Sequence, residues 1–503
     1  MTKMLNIHWF RCDLRLKDNR ALSEATKEEN TLCIFIIDEN LIQNVKYKKR
    51  LEFLFHSLKS LKYDLQMLNS DLLILKYNSK KETLSDIFLK LHDLSHFNKL
   101  YFNRDYTPFA VERDQKLELQ LTKSDIGINT YKDYVIFEKD EITKEDKSAF
   151  KVFTAHKTQW LKKLKLNLNE IKKYDLVKNN LVSKSLINEL QIPDKYLFDL
   201  DKYCEEYKNE ISDSFPASES EARTKLTNFF ADKIHSYKQN RDFLDLISEN
   251  SISGTSNFSP YLKFGLISVR EIVRECAKEL GEDFDNFRLL NQQENKKGSE
   301  SFLSEIIWRE FYKSIQYFFP KSLRNNFQSK FDKIKWKNDI QLFQSWCDGM
   351  TGYPIVDAAM RQLNTIGWMH NRARMIVASF LCKDLHIDWK WGERYFFERL
   401  IDYDLASNVG GWQWTAGTGT DAAPYFRIFN PIEQGKKFDP SGEYVRKYIP
   451  ELKNLPTKFI HSPWELTANE LEFYKIKLGK DYPTPIVDHK KARDITMNMY
   501  GEV

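Results

Sequence analysis

Short apolar segments alternate with amphipathic helical segments over the first 140 residues, and this alternation constrains the fold most. We predict β-strands at residues 6–10, 32–37, 71–77 and 99–103, because each segment is apolar and too short for a helix. The clearest helical pattern between them covers residues 49–68. Strands that alternate with helices form a parallel sheet covered by helices. The sequence therefore predicts an N-terminal, doubly wound α/β domain, although no GxGxxG fingerprint follows its first strand.

A helical pattern replaces this alternation in the C-terminal part of the chain. Residues 141–213 are rich in lysine, asparagine and glutamate, which indicates a long connection with some helix. Further helical segments are predicted at residues 229–237, 268–280, 300–319, 356–363, 370–381 and 391–400, with no convincing strand among them. The fold class is therefore α/β plus all-α: an α/β domain over 1–140, an interdomain connection over 141–213 and a helical domain over 214–497.

Composition and charge narrow the class of protein. With 42% hydrophobic and 30% charged residues, this chain of 503 residues is expected to be globular and soluble, and its apolar runs are too short to cross a bilayer. No secretory signal is visible. The six cysteines lie far apart without a CxxC pair, which argues against a metal site or a disulfide framework and favours a reducing compartment. The net charge of +5 permits a nucleic-acid partner without requiring one.

The segment 351–431 carries the clearest chemistry. It holds two carboxylates, an arginine, an amide and two indoles beside several glycines: Asp402, Asp404, Arg374, Asn371, Trp412 and Trp414. Glycines let backbone approach a flat ligand, and these groups suit a pocket for a large aromatic ligand with polar edges. Spacing alone nevertheless favours a structural interpretation, in which an aspartate caps a helix, Arg374 pairs with Asp402 and the tryptophans fill the core.

Resemblance to a known family changes that balance. Residues 351–431 are similar, nearly residue for residue, to the FAD-binding domain of class I cyclobutane-pyrimidine-dimer photolyases. WFRCDLRLKDN at 9–19, GTSNFSPYLKFGLIS at 254–268 and SEIIWREFY at 304–312 resemble other motifs of that family, so the resemblance covers almost the whole chain. It implies a monomeric FAD enzyme that uses light to split a dimer flipped out of ultraviolet-damaged DNA; base flipping is a step that photolyases share with other enzymes acting on a base in a duplex.

The resemblance also implies which residues hold FAD. The diphosphate is expected at Tyr237, Thr255, Ser256 and Ser259, because hydroxyls and N–H groups at a helix start suit an anion. An Arg374–Asp402 ion pair is expected beside the isoalloxazine ring, and Asn408 opposite flavin N5, where an amide can donate or accept. Further cofactor residues are Asn257, Phe258, Phe302, Arg309, Asn371, Tyr403 and Asp404. Phe302 replaces a tryptophan of some relatives, and Val409 replaces an asparagine of one subgroup.

The resemblance places the lesion and the DNA beside the flavin. Glu305 is expected to hydrogen-bond the dimer, Trp308 and Trp414 to form apolar walls that stack on it, and Met375 to line the pocket mouth. DNA contacts are expected from Arg241, Tyr312, Asn371, Arg372, Arg427 and Gln434, together with Glu305, Trp308 and Trp414. A chain of tryptophans, Trp412, Trp389 and Trp336, is expected to carry electrons between the flavin and the surface.

The identity of a second, light-harvesting chromophore stays open. Relatives that use folate have an Asn–Glu pair where this chain has Phe109 and Ala110, which weakens folate and leaves a deazaflavin, a second flavin or no antenna. Any antenna is expected at the C-terminal edge of the sheet.

Three related activities remain as alternatives. A (6-4) photolyase carries a histidine pair near His370, and only one histidine stands there. A cryptochrome, a blue-light sensor, usually has a long C-terminal tail, whereas this chain ends soon after residues 483–494. A DASH-type relative usually has tyrosine at the position of Trp414. We expect a cytoplasmic protein associated with the nucleoid, or a nuclear one in a eukaryote.

Overall fold

The computed structural model describes residues 5–43, 45, 47–208, 215–244, 247–248, 251–252, 254–281 and 297–503. They form two compact units, one from within Met1–Ile142, Gln159–Asp232 and Phe258–Leu290, and one from within Thr143–Thr158, Lys233–Asn257 and Asn291–Val503. The predicted boundary at residues 213 and 214 lies outside the described residues. Within the described ranges, no helix combines the length and the apolar character that a membrane span needs.

A five-stranded parallel sheet is the basis of the first unit. Its strands are β1 (Leu5–Phe10), β2 (Asn30–Asp38), β3 (Leu72–Tyr77), β4 (Phe97–Asn103) and β5 (Gly127–Tyr131), in the spatial order β3-β2-β1-β4-β5. The chain winds outward in both directions from β1, which confirms the predicted doubly wound fold. The edge strand β5 has no counterpart among the predicted strands, because its residues are exposed or half-buried and lack an apolar run.

The helices follow in chain order. Up to residue 281 they are α1 (Arg20–Glu28), α2 (Glu39–Gln43), α3 (Lys49–Gln66), α4 (Leu84–Ser95), α5 (Pro108–Thr122), α6 (Phe153–Leu166), α7 (Lys184–Glu189), α8 (Leu200–Glu206), α9 (Glu219–Asn228), α10 (Tyr237–Asn240), α11 (Ser259–Phe264) and α12 (Val269–Leu280). From residue 297 they are α13 (Lys297–Phe318), α14 (Ile340–Cys347), α15 (Pro354–Ile366), α16 (Asn371–Ser379), α17 (Trp389–Arg399), α18 (Leu405–Ala416), α19 (Pro431–Phe438), α20 (Glu443–Tyr448), α21 (Ala468–Phe473) and α22 (His489–Gly501).

Two expectations about local structure need correction. The helix predicted over 229–237 is interrupted: Phe229–Lys233 is π-helical and directly follows α9, and α10 starts at Tyr237 after a turn. A short antiparallel strand pair, Ile247–Ser248 with Ser251–Ile252, lies in the region expected to have no strands. Strands of two residues leave no periodicity for a sequence pattern to detect.

A cluster of buried charges stabilises the first unit. Nη2 of Arg15 bonds both oxygens of Asp133 at 2.8 and 2.7 Å, and Nη2 of Arg270 bonds Oδ1 at 2.7 Å. Asp18 accepts from Nε of Arg270 at 3.1 Å and from Nη2 of Arg274 at 2.7 Å. Burial alone would raise the pKa of Asp133, but Arg15 and Arg270 hold it well below its ordinary value. Arg15 and Asp18, from the motif at 9–19, therefore belong to an ion cluster that links the segment after β1 to Arg270 and Arg274 on α12.

Candidate functional site

Arg374 on α16 and Asp402 before α18 form the expected ion pair. Nη2 of Arg374 donates to Oδ2 of Asp402 at 2.7 Å, and Nε donates to the backbone oxygen of Met369 at 2.8 Å, which fixes the guanidinium group. The second carboxylate oxygen, Oδ1, is buried and accepts no hydrogen bond from the described residues. The predicted pair is confirmed as a contact, and one buried acceptor remains for a donor on a ligand.

Asn408 on α18 is held by Glu393 on α17. Its side-chain nitrogen donates to the backbone oxygen of Glu393 at 3.2 Å and to Oε1 at 2.9 Å, and the hydroxyl of Tyr403 donates to the same Oε1 at 3.1 Å. Burial raises the pKa of Glu393 above its ordinary value, against the opposing effect of these hydrogen bonds. Because the side-chain nitrogen of Asn408 donates both of these hydrogen bonds, its carbonyl oxygen is left as an acceptor.

Asp404 has both of its oxygens occupied within the protein. Oδ1 accepts the N–H of Ser407 at 3.0 Å and its hydroxyl at 2.8 Å, which caps α18. Oδ2 accepts from Nζ of Lys313 at 2.5 Å. The capping role that spacing alone suggested for an aspartate therefore belongs to Asp404, while its contact with the cofactor stays a prediction.

The predicted lesion residues follow one face of α13. Glu305 accepts from Nη1 of Arg241 at 2.5 Å, and Trp308, nearly one turn later, keeps part of its indole exposed. Tyr312 packs against α18 at Gly410, where a Cβ would lie only 2.3 Å from the tyrosine ring. Only glycine permits this approach. The residues predicted to meet the lesion and the flavin N5 thus belong to one closely packed pair of helices.

The predicted diphosphate residues divide between the two units. Tyr237 and Thr255 belong to the second unit and form a side-chain hydrogen bond, and Tyr237 packs edge-on against Phe302 with ring centroids 5.4 Å apart. Phe258 and Ser259 belong to the first unit, where Ser259 begins α11. Their joint contact with a diphosphate stays a prediction.

The three tryptophans of the predicted chain differ in exposure. Trp412 and Trp389 are 2% and 1% exposed, whereas Trp336 is half-buried. Three residues after Trp389, Gly392 meets the indole of Trp412 so closely that a Cβ would lie 2.0 Å from the ring. Trp336 packs edge-on against Tyr500 with centroids 6.2 Å apart. A path for electrons from the interior to the surface needs such an order of exposure.

The predicted DNA residues keep polar groups near the surface. Nη2 of Arg372 donates to Asp242 at 2.8 Å, and its guanidinium group lies 4.3 Å from the ring centroid of Phe438. Asn371 is exposed at the start of α16, with its side-chain nitrogen 4.0 Å from the sulfur of half-buried Met375. Two further predicted contacts are also accessible, the exposed Arg427 and the half-buried Gln434.

His370 has a structural role. It caps α16, its Nδ1 accepts the N–H of Arg372 at 3.0 Å, and burial lowers its pKa to about 3. A histidine held in this way is neutral near pH 7 and is a poor proton donor there. This environment does not favour the (6-4) alternative.

A polar cleft lies at the carboxyl edge of the sheet, between β1 and β4, where the strand order reverses. Its lining residues are Arg11, Cys12, Asp13, Asn103, Arg104, Asp105, Asp133 and Tyr134. Open α/β sheets bind ligands at such switch points. Of the two positions occupied by an Asn–Glu pair in folate-using relatives, Phe109 is 62% exposed and Ala110 is a buried methyl group.

Two site residues lie outside the matched positions, Glu393 and Lys313. Both helices carry several other charged residues, so nothing in the sequence pattern distinguishes these two. Among the described residues, no three His, Cys, Asp or Glu side chains are arranged to hold a metal ion.

The chain thus combines a parallel α/β unit with a helical unit that carries these polar and aromatic side chains. A family model described as the FAD binding domain of DNA photolyase matches residues 302–502, and one described as DNA photolyase matches residues 6–174. The deoxyribodipyrimidine photo-lyase of Alkalihalophilus pseudofirmus is 37% identical over 503 residues, which are 98% of this chain and 97% of the relative. The chain belongs to the DNA photolyase family.

Solved structures agree with this assignment. A bacterial class III photolyase from Agrobacterium tumefaciens has a TM-score of 0.86 and 32% identity, covering 100% of this chain and 98% of that one. An archaeal photolyase from Sulfolobus tokodaii with two FAD molecules has a TM-score of 0.77 and 30% identity, covering 99% and 100%.

Proposed function

We propose that this chain repairs cyclobutane pyrimidine dimers in DNA with light, using FAD held in the helical unit. The observation that carries the proposal is the contact of Gly410 with Tyr312, which packs α13 against α18. This contact packs the helix of Glu305 and Trp308 against the helix of Asn408. The residues proposed to bind the flipped base therefore lie next to the residue proposed to face the flavin.

The residues present fit FAD. Asp402 Oδ1 is a buried acceptor in need of a donor, and the Arg374 guanidinium group beside it balances its charge. Bound FAD, in its reduced state, supplies the light-driven electron that splits the dimer. Asn408, fixed by Glu393, offers its carbonyl oxygen as an acceptor for a proton on N5. Asp402 and Asn408 thereby orient the isoalloxazine ring of the flavin and hydrogen-bond its polar edge.

Glu305 and Arg241 divide the recognition of the dimer between them. A carboxylate accepts hydrogen bonds, so Glu305 takes a thymine N–H while Arg241, bonded to it at 2.5 Å, supplies positive charge near the ring carbonyls. Negative charge that develops on those carbonyls is stabilised by such a group. Trp308 and Trp414 exclude water from the dimer by stacking on it.

The tryptophans and surface arginines complete the proposal. Trp412, Trp389 and Trp336 carry electrons inward from an external reductant, so Trp336→Phe stops light-driven reduction of the oxidised cofactor and spares repair by chemically reduced protein. Arg372 and Arg427 contact phosphates, which makes DNA binding salt-dependent. We further propose a monomer without a metal, acting on DNA in the cytoplasm.

A second chromophore is proposed at the cleft between β1 and β4. Phe109 and Ala110 disfavour folate, and the Sulfolobus tokodaii photolyase contains two FAD molecules, so a flavin or deazaflavin suits the cleft better. Acid extraction of the purified protein followed by chromatography identifies any cofactor present in addition to FAD.

One experiment tests the main proposal. Purified, reduced protein is incubated with duplex DNA that carries one pyrimidine dimer, in blue light and in the dark, and repair is measured by loss of the lesion. We expect repair in light only. FAD binding and light-driven reduction without repair would indicate a cryptochrome-type sensor instead, and repair of (6-4) lesions alone would indicate the other photolyase type.

A further inference from the structure

We propose that Phe153, the first residue of α6, is a positioning residue of the lesion pocket that acts by holding the indole of Trp308. The inference rests on the proposed role of Trp308 as a wall for the dimer. Phe153 lies in the predicted interdomain connection, but residues 143–158 belong to the second compact unit, which also contains Trp308. A part of the predicted connection would therefore contribute to substrate recognition.

The two rings form a close parallel stack. Their centroids are 3.7 Å apart and their planes meet at 7°. Phe153 is 9% exposed, whereas Trp308 is half-buried, and Phe311 closes the stack edge-on, 5.5 Å from Trp308. Phe153 thus covers one face of the indole, while the ring of Tyr312 is tilted by 35° to it with its centroid 5.5 Å away. The face opposite Phe153 is the one proposed for the base.

The segment that carries Phe153 is tied to the loop after α18. The N–H of Phe153 donates to Oδ2 of Asp421 at 3.0 Å, and the hydroxyl of Thr420 donates to the backbone oxygen of Lys151 at 2.7 Å. In the same loop, the N–H of Ala423 donates to the backbone oxygen of Trp414 at 3.2 Å. One short segment therefore connects to both proposed walls of the pocket, directly at Trp308 and through the loop at Trp414.

This arrangement has a consequence for binding. An indole that is held before the lesion arrives loses little freedom on stacking, whereas an unsupported indole must be ordered at that moment, which weakens affinity. Phe153 touches neither the flavin residues nor the phosphate-binding arginines among the contacts described. Its effect is therefore confined to recognition of the dimer and does not extend to electron transfer or to affinity for undamaged DNA.

The test measures the affinity of Phe153→Ala, loaded with FAD, for duplex DNA with and without one dimer, by fluorescence anisotropy in the dark. We expect affinity for damaged DNA to fall roughly three- to ten-fold, with undamaged DNA, the flavin spectrum and the repair quantum yield at saturating substrate unchanged. Phe153→Tyr, which keeps an aromatic ring at this position, should bind damaged DNA as tightly as the wild type. Phe150→Ala is the matched control, because its ring packs against His156 in the same segment, with centroids 6.3 Å apart.

Trp308→Ala separates the inference from the proposed function. If Trp308→Ala loses affinity for the dimer but Phe153→Ala does not, the wall stands and the role of Phe153 is wrong. Tighter binding by Phe153→Ala would mean that its ring occupies the substrate face, which also overturns the inference. If Trp308→Ala binds the dimer normally, Trp308 does not stack on the dimer, and the proposed role of Phe153 is wrong as well. Phe153→Leu replaces the alanine variant if that variant does not fold.

Discussion

The ion cluster of the first unit and the polar pocket of the second unit are built from the same residue types, but they differ in what they leave unsatisfied. Every carboxylate oxygen of Asp18 and Asp133 accepts a hydrogen bond from the protein. In the pocket, one buried oxygen of Asp402 accepts none from the described residues, and Glu305 keeps about a third of its side chain exposed. A closed cluster of charges stabilises a fold, whereas an open one has groups left for a ligand.

The largest effect is expected from opening the closed cluster. Asp133→Ala leaves Arg15 and Arg270 buried without this carboxylate, which should lower the free energy of unfolding by about 3–5 kcal/mol. Because the pKa of Asp133 is depressed, its contribution is full at neutral pH and is lost as the pH falls below about 4 towards its folded pKa. Denaturant unfolding followed by circular dichroism measures both effects.

Glu112→Ala is the control for that variant, since it removes only an exposed pair with Lys116. An Asp133→Ala protein as stable as the wild type would show that the ion cluster contributes nothing to the free energy of unfolding. The contrast between a stabilising cluster in the first unit and a ligand-binding one in the second would then be wrong.

The next largest effect is expected on the flavin side of the open pocket. Asp402→Ala removes the acceptor and the partner of Arg374, and should weaken FAD affinity roughly ten- to hundred-fold while the fold stays intact. The flavin-to-protein absorbance ratio after dialysis measures the loss. Glu398→Ala, which breaks only the pair with Arg394 on α17, should retain FAD. Full FAD content in Asp402→Ala would contradict a cofactor role.

A smaller effect is expected on the lesion side. Glu305→Ala should reduce repair quantum yield by roughly two- to ten-fold and leave FAD content unchanged, because Glu305 bonds Arg241 and its proposed role is to contact the lesion and not to anchor the flavin. Repair per absorbed photon, measured at saturating damaged DNA, reports the change. An unaltered yield would mean that the open carboxylate does not meet the dimer.

The smallest effect is expected at the rim. If Arg372 contacts a phosphate as proposed, Arg372→Ala should lower the slope of log affinity against log salt by about one, with similar loss of affinity for damaged and undamaged DNA. Anisotropy titrations at several salt concentrations give the slope. Loss confined to damaged DNA would instead place Arg372 at the lesion.

Local sequence was sufficient for the fold class. The strands of the sheet core and the long helices follow from apolar periodicity. Arg374, Asp402, Asn408, Glu305 and Trp308 were named through resemblance to a family; the structure shows the Arg374–Asp402 pair, and the roles of these residues stay predictions. The edge strand β5 was missed because an edge strand needs no continuous apolar run. The π-helical turn at Phe229–Lys233 was missed because its residue pattern resembles that of an α-helix.

The sequence by itself determined the alternation of the first four strands with helices and the later change to helices, because apolar periodicity depends on residues a few positions apart. Only the tertiary structure decided which charges are satisfied and which side chains hold others in place. Asp133 bonds to Arg270, 137 residues away, and Phe153 stacks on Trp308 from the predicted connection. Hydrogen bonds and ring stacking act over a few ångströms, so their partners are set by the folded chain and not by spacing along it.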